Sequence, residues 1–379
     1  MSQEMENTNT ILNPNIHVES LCENHLFFRK KDKENYKKEK KSKKICVYDD
    51  SCKYYIKMTQ QIHQIPNYKT YFYTYEKAEF LDLTKIEDTS FKKIALSSTS
   101  DNQYVLFTYK HLSKYTLTFS HQIHQSLHLG LCKPFLMLLL NSYQQLLKNV
   151  QQLLQSEKKL CFFQISSTNI LFSPEEGDKL FLKNFQACFS CKNSFFKVEH
   201  LLRIFSENTI DNFSYQPLEV HLIYFLWKNN INTLSFSHLE EISRNYIKSM
   251  SIFSLLNELE RDTYIQTCIH SLKMYINKDL NTILEKMVSE YSFSWDNFAL
   301  SVLFFYIVEN ICRTWYFPSE TFLQGWSKLL LKNIHGNPFK RETVDSTIEI
   351  LEQLLEKNPS WLFVNTISSD KMQDLLRVL

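Results

Sequence analysis

The feature that most constrains this chain is a change of hydrophobic period near residue 110. Before it, apolar residues fall in short runs rich in β-branched and aromatic types: ICVYDD, CKYYIKM, YKTYFYTY, KKIAL and YVLFTY. Such runs, broken by turn-prone pieces such as Pro66-Asn67 and SSTSDN, predict strands. After residue 115 the spacing lengthens to three and four. PFLMLLLNSYQQLLKNVQQLLQ, 134–155, predicts a long helix with Pro134 in its first turn. CFFQI, NILF and KLFLKNF then read as short strands around an SPEEGD turn. From about residue 217 nearly every segment has helical spacing: EVHLIYFLWKN, HLEEISRNYIKS, ELERDTYIQTCIHSLKMYI, then 280–290, 296–312, 320–334, 342–357 and 369–378. Strands and helices that segregate along the chain build separate layers, so the class is α+β in two parts.

Composition narrows the chemistry. Only four glycines occur in 379 residues, and none lies in a GxGxxG or GxxxxGK pattern, so a glycine-rich phosphate cradle is not evident. Nine scattered cysteines and no secretory leader read as free thiols; Cys188 and Cys191 form one CxxC, which reads as a buried thiol pair and not as half of a zinc site. The longest apolar run, ALSVLFFYIV at 299–308, is too short to span a bilayer and suits a fully buried helix. Residues 29–44, RKKDKENYKKEKKSKK, hold ten basic and three acidic residues. That stretch is +7 in a chain of net charge +2, which leaves −5 for the remainder. It reads as a solvated arm, with contact to a polyanion as the alternative. Only Tyr36 interleaves with the basic residues, so nucleic acid is not the expected main partner.

The order of strands, long helix, paired hairpins and helices resembles the eukaryotic protein-kinase fold over residues 45–357. YQPLEVHLIYFLWKNNINTLSFSHLEE, the SWDNFAL block and the NPFKR block look like the divergent kinase-like proteins of large double-stranded DNA viruses. The resemblance implies a bilobal protein-kinase-like fold with a degenerate β-rich N-lobe at 45–110. Before it would lie a disordered basic arm at 1–44, and after it an enlarged helical C-lobe at 111–379 with a helical insertion at about 220–290. The 77 positions from Glu219 to Asp296 far exceed the family's usual interval.

Residue by residue, the resemblance implies lost chemistry on a kept frame. Lys57, in the expected strand YYIKM, matches the family's phosphate-pairing lysine, but no glutamate follows between 58 and 75 to fix it. In CFFQISSTNILF, anchoring on Asn169 puts Phe162 at the family's histidine, Gln164 at its catalytic aspartate and Ser166 at its lysine. A neutral amide cannot accept the substrate's proton. In LKNFQ, Asn184 replaces the aspartate that holds magnesium, which prefers anionic oxygen. Glu175, Glu176 and Asp178 read as a solvated hairpin tip. The frame matches better: Glu219 would pair with Arg341, and Asp296 would bond the backbone of the catalytic loop. Lys57 and Asn169 are thus at most remnants of an ATP site, and neither ATP nor magnesium is expected to serve as a cofactor.

The function implied is an inactive kinase-like scaffold contacting viral or host proteins, in the host cytoplasm or as a virion component, with self-association open. Two alternatives stand beside it. One is an unorthodox serine/threonine kinase or nucleotide-using transferase; the other is a binder of nucleic acid or membrane surface through the basic arm.

Overall fold

A computed structural model describes residues 16–22, 25–30, 41–81, 103–110, 116–128, 132–192, 198–207, 213–315 and 321–357. The expected strand KKIAL, the SSTSDN turn and the helix at 369–378 lie outside the described residues. The protein is mixed α+β, with a β-rich N-terminal region and a helical C-terminal part. It divides into two compact units. The first comprises 1–116 together with Asn184–Gln186, and the second comprises 117–183 and 187–379.

In the first unit the strands are β1 (Ile16–Cys22), β2 (His25–Lys30), β3 (Lys41–Val47), β4 (Phe72–Tyr73), β5 (Tyr75–Leu81) and β6 (Tyr104–Lys110). Five of them form one sheet in the order β1-β2-β3-β6-β5, antiparallel at every pairing. Three of these strands begin inside the stretch read as a disordered arm. IHVESLC and HLFFRK are short runs with apolar residues enough for pairing, and the charge run continues into β3.

Helix α1 (Asp50–His63) joins β3 to the rest of the sheet, and it corrects the sequence reading. The expected strand CKYYIKM is helical, and Lys57 is exposed on it. The reason is visible over a longer window. Cys52, Tyr55, Ile56, Thr59 and Ile62 are buried at helical spacing, and Asp49 caps the helix by accepting from the Cys52 N–H at 2.7 Å. A seven-residue window hides that period. The Tyr55 ring packs on Phe107 at 5.5 Å and on Tyr75 at 5.8 Å, which seats α1 against the sheet.

The second unit opens with β7 (Leu117–Thr118), α2 (Phe119–His128) and α3 (Cys132–Gln155). Next come β8 (Leu160–Cys161), β9 (Ile170–Ser173), β10 (Lys179–Lys183) and β11 (Phe189–Ser190). β9 pairs antiparallel with both β7 and β10, and β8 pairs with β11. CFFQI is therefore strand only at Cys161. Helix α4 spans Val198–Ser206. The remaining helices are α5 (Leu218–Lys228), α6 (Phe236–Ser249), α7 (Glu258–Leu272), α8 (Leu280–Tyr291), α9 (Trp295–Trp315), α10 (Phe322–Asn333) and α11 (Val344–Lys357).

Helix α9 is the hub of this unit. Phe298 to Phe305 are all buried, as the apolar run predicts. Tyr143 of α3 and Trp326 of α10 meet Phe304 at ring distances of 4.9 and 6.2 Å. Among the described residues no helix is long and apolar enough to cross a membrane.

Candidate functional site

The site is built on the loop that follows β8. Its first two residues, Phe162 and Phe163, are fully buried, and Phe163 packs near Phe189, Trp295 and Phe213. Phe163 has φ of 69°, in the left-handed region that bulky residues rarely enter. Three bonds hold it there. The N–H groups of Phe162 and Phe163 donate to the two carboxylate oxygens of Asp296 at 2.6 and 2.8 Å. The amide of Gln216 donates to the Phe163 carbonyl. An over-determined, strained backbone of this kind marks a functional turn in many proteins.

Asp296 is supplied by the first turn of α9 and is 1% exposed. Burial pushes its carboxyl up to about 6, while the two backbone N–H groups and the Cys161 thiol work in the opposite direction. The carboxylate spans two successive N–H groups, so one side chain fixes two peptide planes.

The rest of the loop closes on itself. Asn169 donates from its amide to the Gln164 carbonyl at 3.0 Å, and its N–H donates to the Ser166 carbonyl at 3.1 Å. The Lys183 N–H donates to the Asn169 carbonyl, and the hydroxyls of Ser166 and Thr168 lie 3.0 Å apart. The structure therefore brings Gln164, Ser166 and Asn169 into one turn, with the Asn169 amide used to close it. Asn184, beyond the end of β10, is exposed with φ of 70°. It belongs with Phe185 and Gln186 to the first unit, where the Phe185 ring meets Phe72 edge-on at 5.8 Å.

Glu175, Glu176 and Asp178 occupy the turn between β9 and β10. Asn169 and Lys183 close the other end of that hairpin, so the tip lies on the order of 13 Å from them at strand spacing. These carboxylates sit at the far end from the Gln164 turn. A cavity of about 310 Å³ opens beside Ser167, lined also by Ser120, Ser214, Tyr215, Tyr306 and apolar residues of α2 and α9. Among the described residues its lining holds no carboxylate, lysine or arginine.

The second part of the frame is the Glu219–Arg341 pair. Nη1 and Nη2 of Arg341 donate to the two Glu219 oxygens at 2.8 and 2.9 Å, with both side chains at most 2% exposed. Nε donates to the His335 carbonyl at 2.8 Å, Nη1 reaches Ser294, and the guanidinium lies 4.8 Å from the centre of the Phe298 ring. Such a fork matches a carboxylate in a way that lysine could not.

Cys161, Cys188 and Cys191 are all buried, the first two near Asp296, and burial raises the thiols of Cys161 and Cys188. Among the described residues no group of three or more His, Cys, Asp or Glu side chains is arranged to hold a metal ion. Gln216 was not foreseen from the sequence. A glutamine beside Pro217 carries no periodic or charge signal, and only the fold turns it toward Phe163. The chain matches no family model, and no curated protein is recognisably similar to it.

Proposed function

We propose that this chain is a catalytically inactive protein-kinase-like scaffold that acts through protein–protein contacts, with a virion-associated role as the form that the viral resemblance suggests. One observation carries the reading. Asp296 clamps the backbone of the loop in which Gln164 stands where the kinase resemblance puts the proton acceptor. On this reading the frame of a catalytic loop is kept, while the group that would do the chemistry is a neutral amide. The Glu219–Arg341 pair and the antiparallel five-stranded sheet, with α1 inserted after its third strand, support the same reading.

On this reading the strand lysine is Lys44 of β3, and Lys57 has no part. Lys44 shares a sheet face with Cys46, whose electrostatic neighbours include Cys52 and Tyr55 of α1. Helix α1 offers no glutamate there, and Tyr55 is buried instead, its hydroxyl 3.3 Å from that of Tyr109.

The test is a thermal melt of the full chain with ATP, with and without magnesium, beside a phosphate-transfer assay in magnesium or manganese. No rise in Tm and no transfer are expected, because a ligand that binds only the folded form must raise its apparent stability. Transfer that disappears in Lys44→Ala would overturn the proposal.

A further inference from the structure

A second hollow, of about 220 Å³, lies in the second unit away from the Gln164 turn. Its walls come from the C-terminal end of α7 and the turn after it, from α8, and from the loop before α11. Met274, Tyr275, Met287, Tyr291 and Phe339 supply most of its apolar lining. Two of these residues are held out to solvent: Phe339 is 69% exposed and Met274 is 48% exposed. Hydrogen bonds and a ring contact tie the walls together. The Tyr275 hydroxyl donates to that of Tyr291 at 3.0 Å, the Tyr291 and Phe339 rings meet edge-on at 5.2 Å, and Asn337 caps the Phe339 N–H at 3.0 Å. The size is below the range of small-molecule sites and suits one bulky side chain. Methionine and aromatic residues around such a hollow are the composition of interface cores.

The charge around it chooses the occupant. Lys273 lies between the lining residues Leu272 and Met274, and Lys340 directly follows Phe339, both at exposed positions. Lys286 lies 5.8 Å from the Tyr275 ring centre and is engaged by Glu290 at 4.0 Å. Among the described residues the one carboxylate in the lining is Glu219, which is buried and bound to Arg341. We infer that this hollow docks a partner-protein segment that presents one bulky apolar side chain flanked by acidic residues. A second copy of the chain fits less well, because a two-fold contact would bring each basic rim against its own image. The inference deepens the scaffold reading by locating a partner contact, and its test involves neither nucleotide nor phosphate.

The test is selection of a random dodecapeptide display library on the immobilised full chain, with the Met274→Glu chain as a parallel target. Enriched peptides should share a leucine, methionine or phenylalanine with acidic neighbours, and the Met274→Glu chain should not enrich them. A synthetic peptide from the selection should lose roughly tenfold or more in affinity on Phe339→Ala, as truncating an interface anchor does. Both substitutions are at exposed positions, so an unchanged Tm shows that folding is intact. The Lys273→Glu/Lys340→Glu chain should weaken that peptide and favour its lysine-flanked counterpart. Enrichment without acidic flanks, no enrichment, or the same peptides on the Met274→Glu chain would overturn the inference. So would a dimer in sedimentation that Met274→Glu dissolves, since the occupant would then be a second copy.

Discussion

Two regions of the second unit treat charge in opposite ways. Behind the loop, Asp296 and Glu219 are carboxylates buried almost completely and bonded at both oxygens. In the loop itself Gln164 is a half-buried amide, and among the described residues the cavity beside Ser167 is lined by no carboxylate, lysine or arginine. A buried carboxylate that organises backbone or grips a guanidinium cannot be removed without leaving orphaned donors. A carboxylate that faces a ligand can be replaced by an amide at little cost to folding. The contrast teaches that charge is kept in the interior where it satisfies backbone or guanidinium donors, while the half-buried turn at 162–169 is built from neutral residues.

The sharpest way to break that comparison is Arg341→Met, which strands Glu219 in the interior. A loss of about 3–5 kcal/mol in urea unfolding is expected, and the paired change Glu219→Leu with Arg341→Met should recover much of it. A loss below about 1 kcal/mol for the single change would place this pair with ordinary surface ion pairs.

Acid should act next. Burial holds His200 at about 3 and His221 at about 4, so the unfolded chain takes up protons below pH 6.5 that the folded chain refuses. Their contribution is present above that pH and is lost as pH falls toward 4. Asp296, raised to about 6, works the other way, because its folded form binds a proton first and gains stability between pH 6 and its ordinary range. At about 1.4 kcal/mol per pH unit for each group, two histidines outweigh one carboxyl. Net stability should fall from pH 6.5 to 4, and His221→Gln should flatten the profile; a profile that rises on acidification contradicts this.

Asp296→Asn sharpens the comparison at smaller scale. One amide face presents a donor to a backbone donor, so one charge-assisted bond is lost and one N–H is orphaned. About 2 kcal/mol is expected at pH 7, with faster hydrogen exchange at Phe162 and Phe163. The smallest effect belongs to Asn184. Asn184→Ala should cost about 1 kcal/mol because φ is positive there, while Asn184→Gly should be nearly neutral. Equal losses from both would show that the side chain, and not the backbone angle, matters.

Much of the frame was legible because it rests on local period and on charged residues that are costly to bury. The apolar run at 299–308 predicted a buried helix, and Pro134 sits in the first turn of α3 as the pattern required. The errors have an equally physical origin. A seven-residue run rich in aromatic and β-branched types reads as strand around Lys57, although the Asp49 cap and Ile62 extend the period into a helix.

By itself, the sequence determined the class of the two parts, the apolar stripes of their helices and the amide chemistry at positions 164 and 184. Those properties belong to single residues or to neighbours a few places apart. Tertiary structure alone decided that Gln216 would reach Phe163, that Phe163 would take a left-handed angle, and that His270, Met274 and Phe339 would share one hollow. Each joins residues 53 or more places apart or a backbone angle that the chain would not adopt unaided, so no local pattern carries it.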